Sequence, residues 1–141
     1  MRSVQYRSTR EAVVSVKYHV IWCPKYRRRV LGGAAELRLK ELVGEVVAEF
    51  DGMVIEVETM HDHVHLLVEL PPQVAVSKLV KILKGRSSRR LRQEFSHLAR
   101  MKCLWAPSYF VSTVGGAPLE VVRRYVENQE LADARKRAKT G

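Results

Sequence analysis

Hydrophobic and polar residues alternate along some stretches of the chain and recur every three or four positions along others. Alternation is typical of strands, and the longer spacing is typical of helices. Alternation predicts four strands, at residues 13–22, 53–60, 63–70 and 104–113. The longer spacing predicts helices at residues 34–50, 76–95 and 118–138, the second of them bent or broken at Gly85. The elements therefore follow the order β-α-β-β-α-β, with one more helix at the end.

This order predicts an α+β fold of the ferredoxin-like (RRM-like) type. In this split β-α-β-β-α-β arrangement, an antiparallel sheet carries its helices on one face. The additional C-terminal helix would contain Tyr125. At 141 residues the chain is long enough for one ordinary core and too short for two. We therefore expect a single domain over residues 1–141, ending in a flexible basic tail from about residue 133 to 141.

Two histidines in the third predicted strand point away from the core. The apolar row of HVHLLVEL, which must lie under the helices, consists of Val64, Leu66, Val68 and Leu70. His63 and His65 therefore face the open side of the sheet, about 6.6 Å apart at a rise of about 3.3 Å per residue. That separation allows both to bind one ion, with at least one further protein ligand. His61 and Asp62 are expected in the preceding turn, because continued pairing would point the Asp62 carboxylate into the core.

The sequence YVENQ places Tyr125 and Gln129 one helical turn apart on the same face. An amide and a phenol at this spacing have chemistry that could complete the histidine site. The same stretch also continues an apolar helical stripe, and a tyrosine in such a stripe is usually a packing residue. The spacing alone leaves both interpretations open.

The chain has a formal net charge of +10, and most of it is concentrated in one segment. Residues 78–102 contain nine Lys and Arg and a single acid, a balance of +8, and KYRRR at residues 25–29 adds four basic residues. Because the segment lacks the acids that i,i+4 ion pairs require, we expect a polyanionic partner, with phosphate as the natural candidate. The predicted DNA contacts are Lys25, Arg27, Arg28, Lys84, Arg86, Ser87, Arg89 and Arg90.

No stretch of the sequence approaches the length of a membrane span. The N-terminal sequence MRSVQYRSTR is polar and lacks the apolar run of a secretory signal. We therefore expect a cytoplasmic protein with no membrane partner.

Five stretches occur in a recognisable order: YHVIWCPKYRRRVL, HDHVHLLVEL, LKGRSSRRLRQEF, LWAPSYFVSTVGGAP and RRYVENQ. Together they resemble the single-tyrosine transposases of the HUH endonuclease superfamily, the IS200-like enzymes that move the smallest bacterial and archaeal insertion sequences as single-stranded DNA. The resemblance implies that His63 and His65 bind a divalent ion. It also implies that Tyr125 is the nucleophile and that Gln129 completes the metal site.

The same resemblance implies a reaction and its partners. Tyr125 would attack the scissile phosphate, leaving a 5′-phosphotyrosine link and a free 3′-OH. The substrate would be single-stranded DNA hairpins at the ends of the element. The enzyme would be a homodimer, in which the tyrosine helix of one subunit can serve the metal site of the other. Mg²⁺ or Mn²⁺ is expected rather than zinc, because Gln129 supplies an amide and no third His or Cys is expected nearby.

Two other functions fit part of the sequence. A non-catalytic RNA- or single-stranded-DNA-binding module on the same fold would explain the charge. However, KGRSSRRLR lacks the aromatic residues that such a module presents to bases. A zinc hydrolase would need His61 or Asp62 to join the histidine pair, against the strand geometry.

Overall fold

The computed structural model describes residues 15–114, 125–129, 131–132 and 135. Its strands are β1 (Val16–Trp22), β2 (Met53–Met60), β3 (His63–Leu70) and β4 (Phe110–Thr113). Its helices are α1 (Gly33–Glu49), α2 (Val76–Glu94) and the short α3 (Ser96–Ala99), and a 3-10 turn covers Lys25–Arg27. Residues 125–129 are also helical.

The four strands form one sheet in the order β2-β3-β1-β4, and each neighbouring pair is antiparallel. The predicted antiparallel sheet with helices, and with it the α+β class, is confirmed. The bounds of β2 and β3 agree with the predicted residues 53–60 and 63–70. The predicted start of the last helix at residue 118 and, apart from residue 135, the predicted tail lie outside the described residues.

Alternate side chains of β3 pack beneath α1 and α2, as the alternation predicts. The buried row of β3 is Val64, Leu66, Val68 and Leu70. The buried Leu and Val side chains of α1 and α2 that share this core are Leu39, Leu42, Val43, Val46 and Val47 of α1, and Leu79, Val80, Leu83 and Leu91 of α2. Each such side chain contributes about 1.5–3 kcal/mol through burial. This row fixes the orientation of β3, so His63 and His65 lie on the opposite face.

Helix α1 ends at the predicted DG sequence. Asp51 adopts a left-handed conformation with φ of 59°, just beyond the last helical residue. A Cβ atom on Gly52 would lie 2.7 Å from a methyl carbon of Leu70 and 2.9 Å from the carbonyl oxygen of Glu69. Only glycine therefore lets the turn after α1 approach β3 so closely.

Helix α2 runs through Gly85 without interruption, so the predicted break there is wrong. A glycine inside a helix costs about 1 kcal/mol relative to alanine. Burial of Leu79, Leu83 and Leu91 on the core side outweighs that cost. No helix among the described residues combines the length and apolarity needed to cross a bilayer.

The predicted strand 104–113 is too long, because residues 104–109 do not continue β4. This segment instead joins the end of β1. The Lys25 amide donates to the Leu104 carbonyl and the Ala106 amide donates to the Cys23 carbonyl, each at 2.8 Å. Pro24 and Trp105 form an isolated β-bridge between the chain just after β1 and this segment. Both hydrogen bonds flank Pro24 and neither needs its nitrogen, so a residue without an amide hydrogen is tolerated at this bridge.

Candidate active site

Strand β3 places His63 and His65 on the side of the sheet away from α1 and α2, both partly buried. The residues paired with His65 are Ile21 on β1 and Glu58 on β2. His61 and Asp62 form the turn before β3, as predicted. The orientation of the two histidines thus agrees with the alternation, and their role as metal ligands stays a prediction.

The Asp62 carboxylate contacts His63 and is itself bound by the Arg27 guanidinium. The Asp62 Oδ1 lies 3.0 Å from the His63 Nδ1. The other oxygen, Oδ2, accepts hydrogen bonds from the Arg27 Nε at 3.1 Å and Nη2 at 2.5 Å. Burial favours a higher pKa for Asp62, but the hydrogen bonds from His63 and Arg27 together outweigh it and lower the pKa. The carboxylate is therefore ionised at neutral pH.

A third imidazole lies beside His65. The His19 Nδ1 is 3.0 Å from the His65 Nε2, and the two rings are stacked with centroids 5.2 Å apart. Burial, followed by the charge on His19, lowers the pKa of His65. The expectation that no third histidine lies nearby is therefore wrong. Alternation in β1, which puts Lys17, His19 and Ile21 on one face, was the signal that could have found it.

The predicted donors to a divalent ion are the imidazoles of His63 and His65 and the amide of Gln129. Over the described ranges, no three His, Cys, Asp or Glu side chains lie close enough together to hold a metal ion. A cation at His63 and His65 would therefore need an amide or phosphate oxygen to complete its coordination. The choice of Mg²⁺ or Mn²⁺ over zinc stays a prediction.

Tyr125 and Gln129 lie on one face of their helix and share a partner that the sequence analysis missed. The Ser108 Oγ is 3.1 Å from the Tyr125 hydroxyl oxygen and donates a short hydrogen bond to the Gln129 Oε1. Gln129 is 9% exposed, and Tyr125 is partly buried. Ser108 sits in the irregular segment before β4, and no periodic signal in the sequence identifies it.

The tyrosine packs at the β4 side of the sheet. Its ring centroid lies 5.7 Å from that of Phe110. Phe110 pairs with Ile21, and Ile21 pairs with His65. Two strand spacings, about 10 Å in all, therefore separate Phe110 from His65. The described structure brings the tyrosine and the amide together at β4, two strands from β3.

Lys84 serves the protein backbone, whereas the sequence predicted a phosphate contact. Its Nζ donates to the carbonyl oxygens of Ala106 at 2.6 Å and Ser108 at 3.2 Å, and lies 5.8 Å from the ring centroid of Tyr109. Burial lowers the pKa of Lys84. The side chain therefore holds the segment that carries Ser108.

Three more predicted DNA contacts have protein partners. Ser87 is wrong as a phosphate contact: it is 2% exposed, donates to the Leu83 carbonyl at 2.6 Å and accepts from the Trp105 indole nitrogen at 2.9 Å. Arg27 is bound to Asp62. Arg86 forms a two-pronged ion pair with Glu49. The local density of basic residues could not reveal these partners, which come from distant segments.

The remaining predicted contacts line two basic surfaces. A groove of about 590 Å³ on α2 is lined by Lys81, Ile82, Gly85, Arg86, Arg89 and Arg90. A smaller pocket of about 250 Å³ is lined by Lys25, Tyr26, Arg28, Arg100, Met101, Lys102 and Cys103. In this pocket Lys25 and Arg28 each approach the Tyr26 ring centroid to 5.6 Å. A groove rich in cations suits phosphate, and an aromatic ring beside cations suits a nucleotide base.

Comparison with known proteins relates this chain to transposases. The sequence profile of the family described as "Transposase IS200 like" matches residues 12–129. The ISDra2 transposase TnpA of Deinococcus radiodurans is 37% identical over 129 residues, covering 89% of this chain and 92% of the relative. The transposase for insertion sequence element IS200 of Salmonella typhimurium is 32% identical over 116 residues, covering 80% and 76%.

Two solved structures are similar as well. A crystal structure of a proposed transposase from Deinococcus radiodurans R1 superimposes with a TM-score of 0.81 at 36% identity, covering 87% of this chain and 97% of that chain. A REP-associated tyrosine transposase bound to a REP hairpin shares the fold, with a TM-score of 0.51 at 16% identity over 85% and 68% of the two chains. With a profile match over most of its length and curated relatives above 30% identity, this chain belongs to the IS200-like transposase family.

Proposed function

We propose that this transposase cleaves and rejoins single-stranded DNA at the ends of an insertion sequence, with Tyr125 as the nucleophile. The observation that carries the proposal is the shared face of Tyr125 and Gln129, joined through Ser108, over a sheet whose open side presents His63 and His65. Of the described tyrosines, Tyr125 is the one with an amide one helical turn away. If Tyr125 were only a packing residue, Gln129 would not need to share its hydrogen-bond partner, Ser108.

The proposed reaction exchanges one phosphodiester for another. The Tyr125 oxygen bonds to the scissile phosphorus as the bond to the 3′-oxygen breaks. The phenol proton is lost, and the departing 3′-oxygen takes up a proton to become a free 3′-OH. The 5′-phosphotyrosine link keeps the energy of the original bond, so attack by another 3′-OH rejoins the strand without ATP.

We further propose that His63, His65 and Gln129 hold Mg²⁺ or Mn²⁺. Such an ion, when bound, polarises a phosphate oxygen and stabilises charge on the leaving oxygen, effects worth several kcal/mol. The chain's own task is to present two imidazole lone pairs and an amide oxygen and to align the phenol. For His65 this requires that Nε2 donates to His19 and Nδ1 keeps the lone pair, or that His19 turns away from Nε2. Because the tyrosine helix packs at β4, alignment requires it to move along the sheet or to serve the other subunit of a homodimer.

The substrate that we propose is a DNA hairpin at each end of the element. The structurally similar REP-associated transposase is bound to a hairpin, which supports the idea by analogy. The groove on α2, with Arg89 and Arg90, and the pocket around Tyr26 are the surfaces proposed to contact phosphates and bases. The sheet order β2-β3-β1-β4 also supports assigning the whole chain to the ferredoxin-like arrangement with a C-terminal tyrosine helix.

The rival functions have less support. A zinc hydrolase would need His61 or Asp62 as a further ligand, but among the described residues no three His, Cys, Asp or Glu side chains lie close enough together to hold a metal ion. A purely binding module would not need His63 and His65 on the open face of the sheet, or an amide at Gln129.

A denaturing gel tests the proposal. Labelled single-stranded hairpin DNA is incubated with the protein, with and without Mg²⁺ or Mn²⁺. We expect a metal-dependent adduct that survives denaturation in the wild type and in the control variant Tyr109→Phe. The adduct should disappear in Tyr125→Phe, which keeps the ring but loses the oxygen. An adduct of normal yield in Tyr125→Phe would refute the assignment, and cleaved product without any covalent species would favour a hydrolase.

A further inference from the structure

We propose that Asp62 and Arg27 form a positioning pair that holds His63 in its Nδ1–H tautomer and directs its Nε2 toward the cation. This inference rests on the proposed metal site and assigns it two further residues. Neither residue touches the cation in this scheme. Each acts through the ring of His63.

The contact between Asp62 and His63 selects the tautomer. A carboxylate oxygen only accepts hydrogen bonds, so the ring nitrogen 3.0 Å from Oδ1 must carry the hydrogen. A neutral imidazole has one N–H, and the hydrogen on Nδ1 leaves the lone pair on Nε2. Metal-binding histidines commonly donate their other nitrogen to a carboxylate in this way, which fixes the ring and strengthens the ligand.

Arg27 fixes the carboxylate in turn. Its Nε and Nη2 both donate to Oδ2, which leaves Oδ1 directed at His63. The side chains of Arg27 and Asp62 are 20% and 21% exposed, so solvent screens this pair less than a surface ion pair. A free Asp62 in a two-residue turn could rotate away from the ring, and the guanidinium prevents that rotation.

The backbone around Arg27 supports this role. Tyr26 and Arg27 have φ of 61° and 48°, a left-handed conformation that costs residues other than glycine about 1–2 kcal/mol each. Strained conformations of this kind persist where surrounding contacts hold them, often at functional sites. A backbone hydrogen bond from the Leu31 amide to the His61 carbonyl at 3.3 Å also joins the segment after the 3-10 turn to the turn before β3.

The pair explains why one arginine of KYRRR differs from its neighbours. Lys25 and Arg28 lie beside the Tyr26 ring in the basic pocket, whereas Arg27 turns to Asp62. A phosphate contact by Arg27 would have to share the guanidinium with Asp62. We therefore assign Arg27 to the histidine site and its neighbours to the nucleic acid.

The test measures the tautomer and metal binding in the full chain, without DNA. Nitrogen NMR of the histidine side chains at mildly alkaline pH should show hydrogen on Nδ1 of His63 in the wild type and a mixture of tautomers in Asp62→Leu. Calorimetric titration with Mn²⁺ should show affinity about 10- to 100-fold weaker in Asp62→Leu. The loss should be smaller in Asp62→Asn, which retains an acceptor oxygen.

Two further variants keep the test decisive. Arg27→Met should also weaken Mn²⁺ binding, and it serves if Asp62→Leu does not fold. Glu56→Gln removes an acidic charge from β2, opposite Leu67, without touching His63, and should bind Mn²⁺ like the wild type. Equal affinity in Asp62→Leu and the wild type, or hydrogen on Nε2 of His63 in the wild type, would overturn the inference. If the proposed metal site itself is wrong, the wild type will bind no Mn²⁺, and this result distinguishes that failure from failure of the positioning role.

Discussion

The Ser108 Oγ lies 3.1 Å from the Tyr125 hydroxyl oxygen. Because the same Oγ donates to the Gln129 Oε1, the phenol must donate its own proton to Ser108. One small side chain in an irregular segment therefore anchors both polar groups of the tyrosine helix.

Replacing Ser108 with alanine should loosen this helix. Loss of two hydrogen bonds, each worth about 0.5–1.5 kcal/mol, should speed amide hydrogen exchange at residues 125–129 by roughly fivefold or more. Mass-spectrometric exchange measures this directly.

The matched control is Ser112→Ala on β4. The Ser112 Oγ is buried and makes no hydrogen bond within the described structure, so its removal should leave exchange at residues 125–129 unchanged. Equal exchange in the two variants would show that Ser108 does not hold the helix.

Replacing Lys84 with methionine should cost stability without reducing the salt dependence of DNA binding. Methionine keeps the apolar stem but leaves the carbonyls of Ala106 and Ser108 without their donor. We expect a loss of about 1–3 kcal/mol in the free energy of unfolding, measured in urea. Fluorescence anisotropy with a labelled hairpin should give the same slope of log affinity against log salt as the wild type.

Arg89→Gln is the comparison for that experiment. Arg89 is exposed in the groove on α2, and as a phosphate contact its loss should reduce the salt slope by about 1. A reduced salt slope in Lys84→Met would show that Lys84 contacts phosphate after all.

Replacing Glu49 with glutamine should strengthen hairpin binding. The substitution releases Arg86 from its ion pair and leaves the guanidinium free to contact phosphate beside the groove. We expect higher affinity and a salt slope steeper by about 1. The control Glu41→Gln makes the same charge change on α1, next to Arg38 instead. If the two variants tighten binding equally, general charge and not Arg86 is responsible.

The same ion pair predicts a pH dependence of stability. The hydrogen bond from Arg86 lowers the pKa of Glu49 in the folded protein. The Glu49 carboxylate therefore binds a proton more readily in the unfolded chain than in the folded one. The pair's contribution is present above the ordinary carboxyl pKa and is lost as pH falls through the lowered value. The free energies of unfolding of the wild type and Glu49→Gln, measured in urea, should therefore differ at neutral pH and become equal in acid. A difference that persists in acid would mean that the ion pair is not its source.

Much of the sheet was predictable because alternation is a local property of the chain. The apolar row from Val64 to Leu70 fixes which face of β3 is buried, and so which histidines are exposed to the open side. The same rule applied to β1 would have placed His19 on that face. Residues 104–109 were mispredicted because their apolar pattern reflects burial against the end of β1, and not membership of β4.

Charge density was a weaker guide than alternation. Ser87, Lys84, Arg86 and Arg27 lie in basic stretches, yet each is engaged by another part of the protein. Arg27 and Asp62 are 35 residues apart, and Arg86 and Glu49 are 37 apart. Composition within a window cannot register a partner at that distance.

Spacing within single elements was enough to predict the order of the main elements, the buried face of β3 and the placement of Tyr125 and Gln129 on one helix face. That spacing could not show that His19 lies against His65, 46 residues away, or that Ser108 lies against Tyr125, 17 residues away. These contacts depend on strand register and on the path of an irregular segment. Both are set by the packing of the whole core.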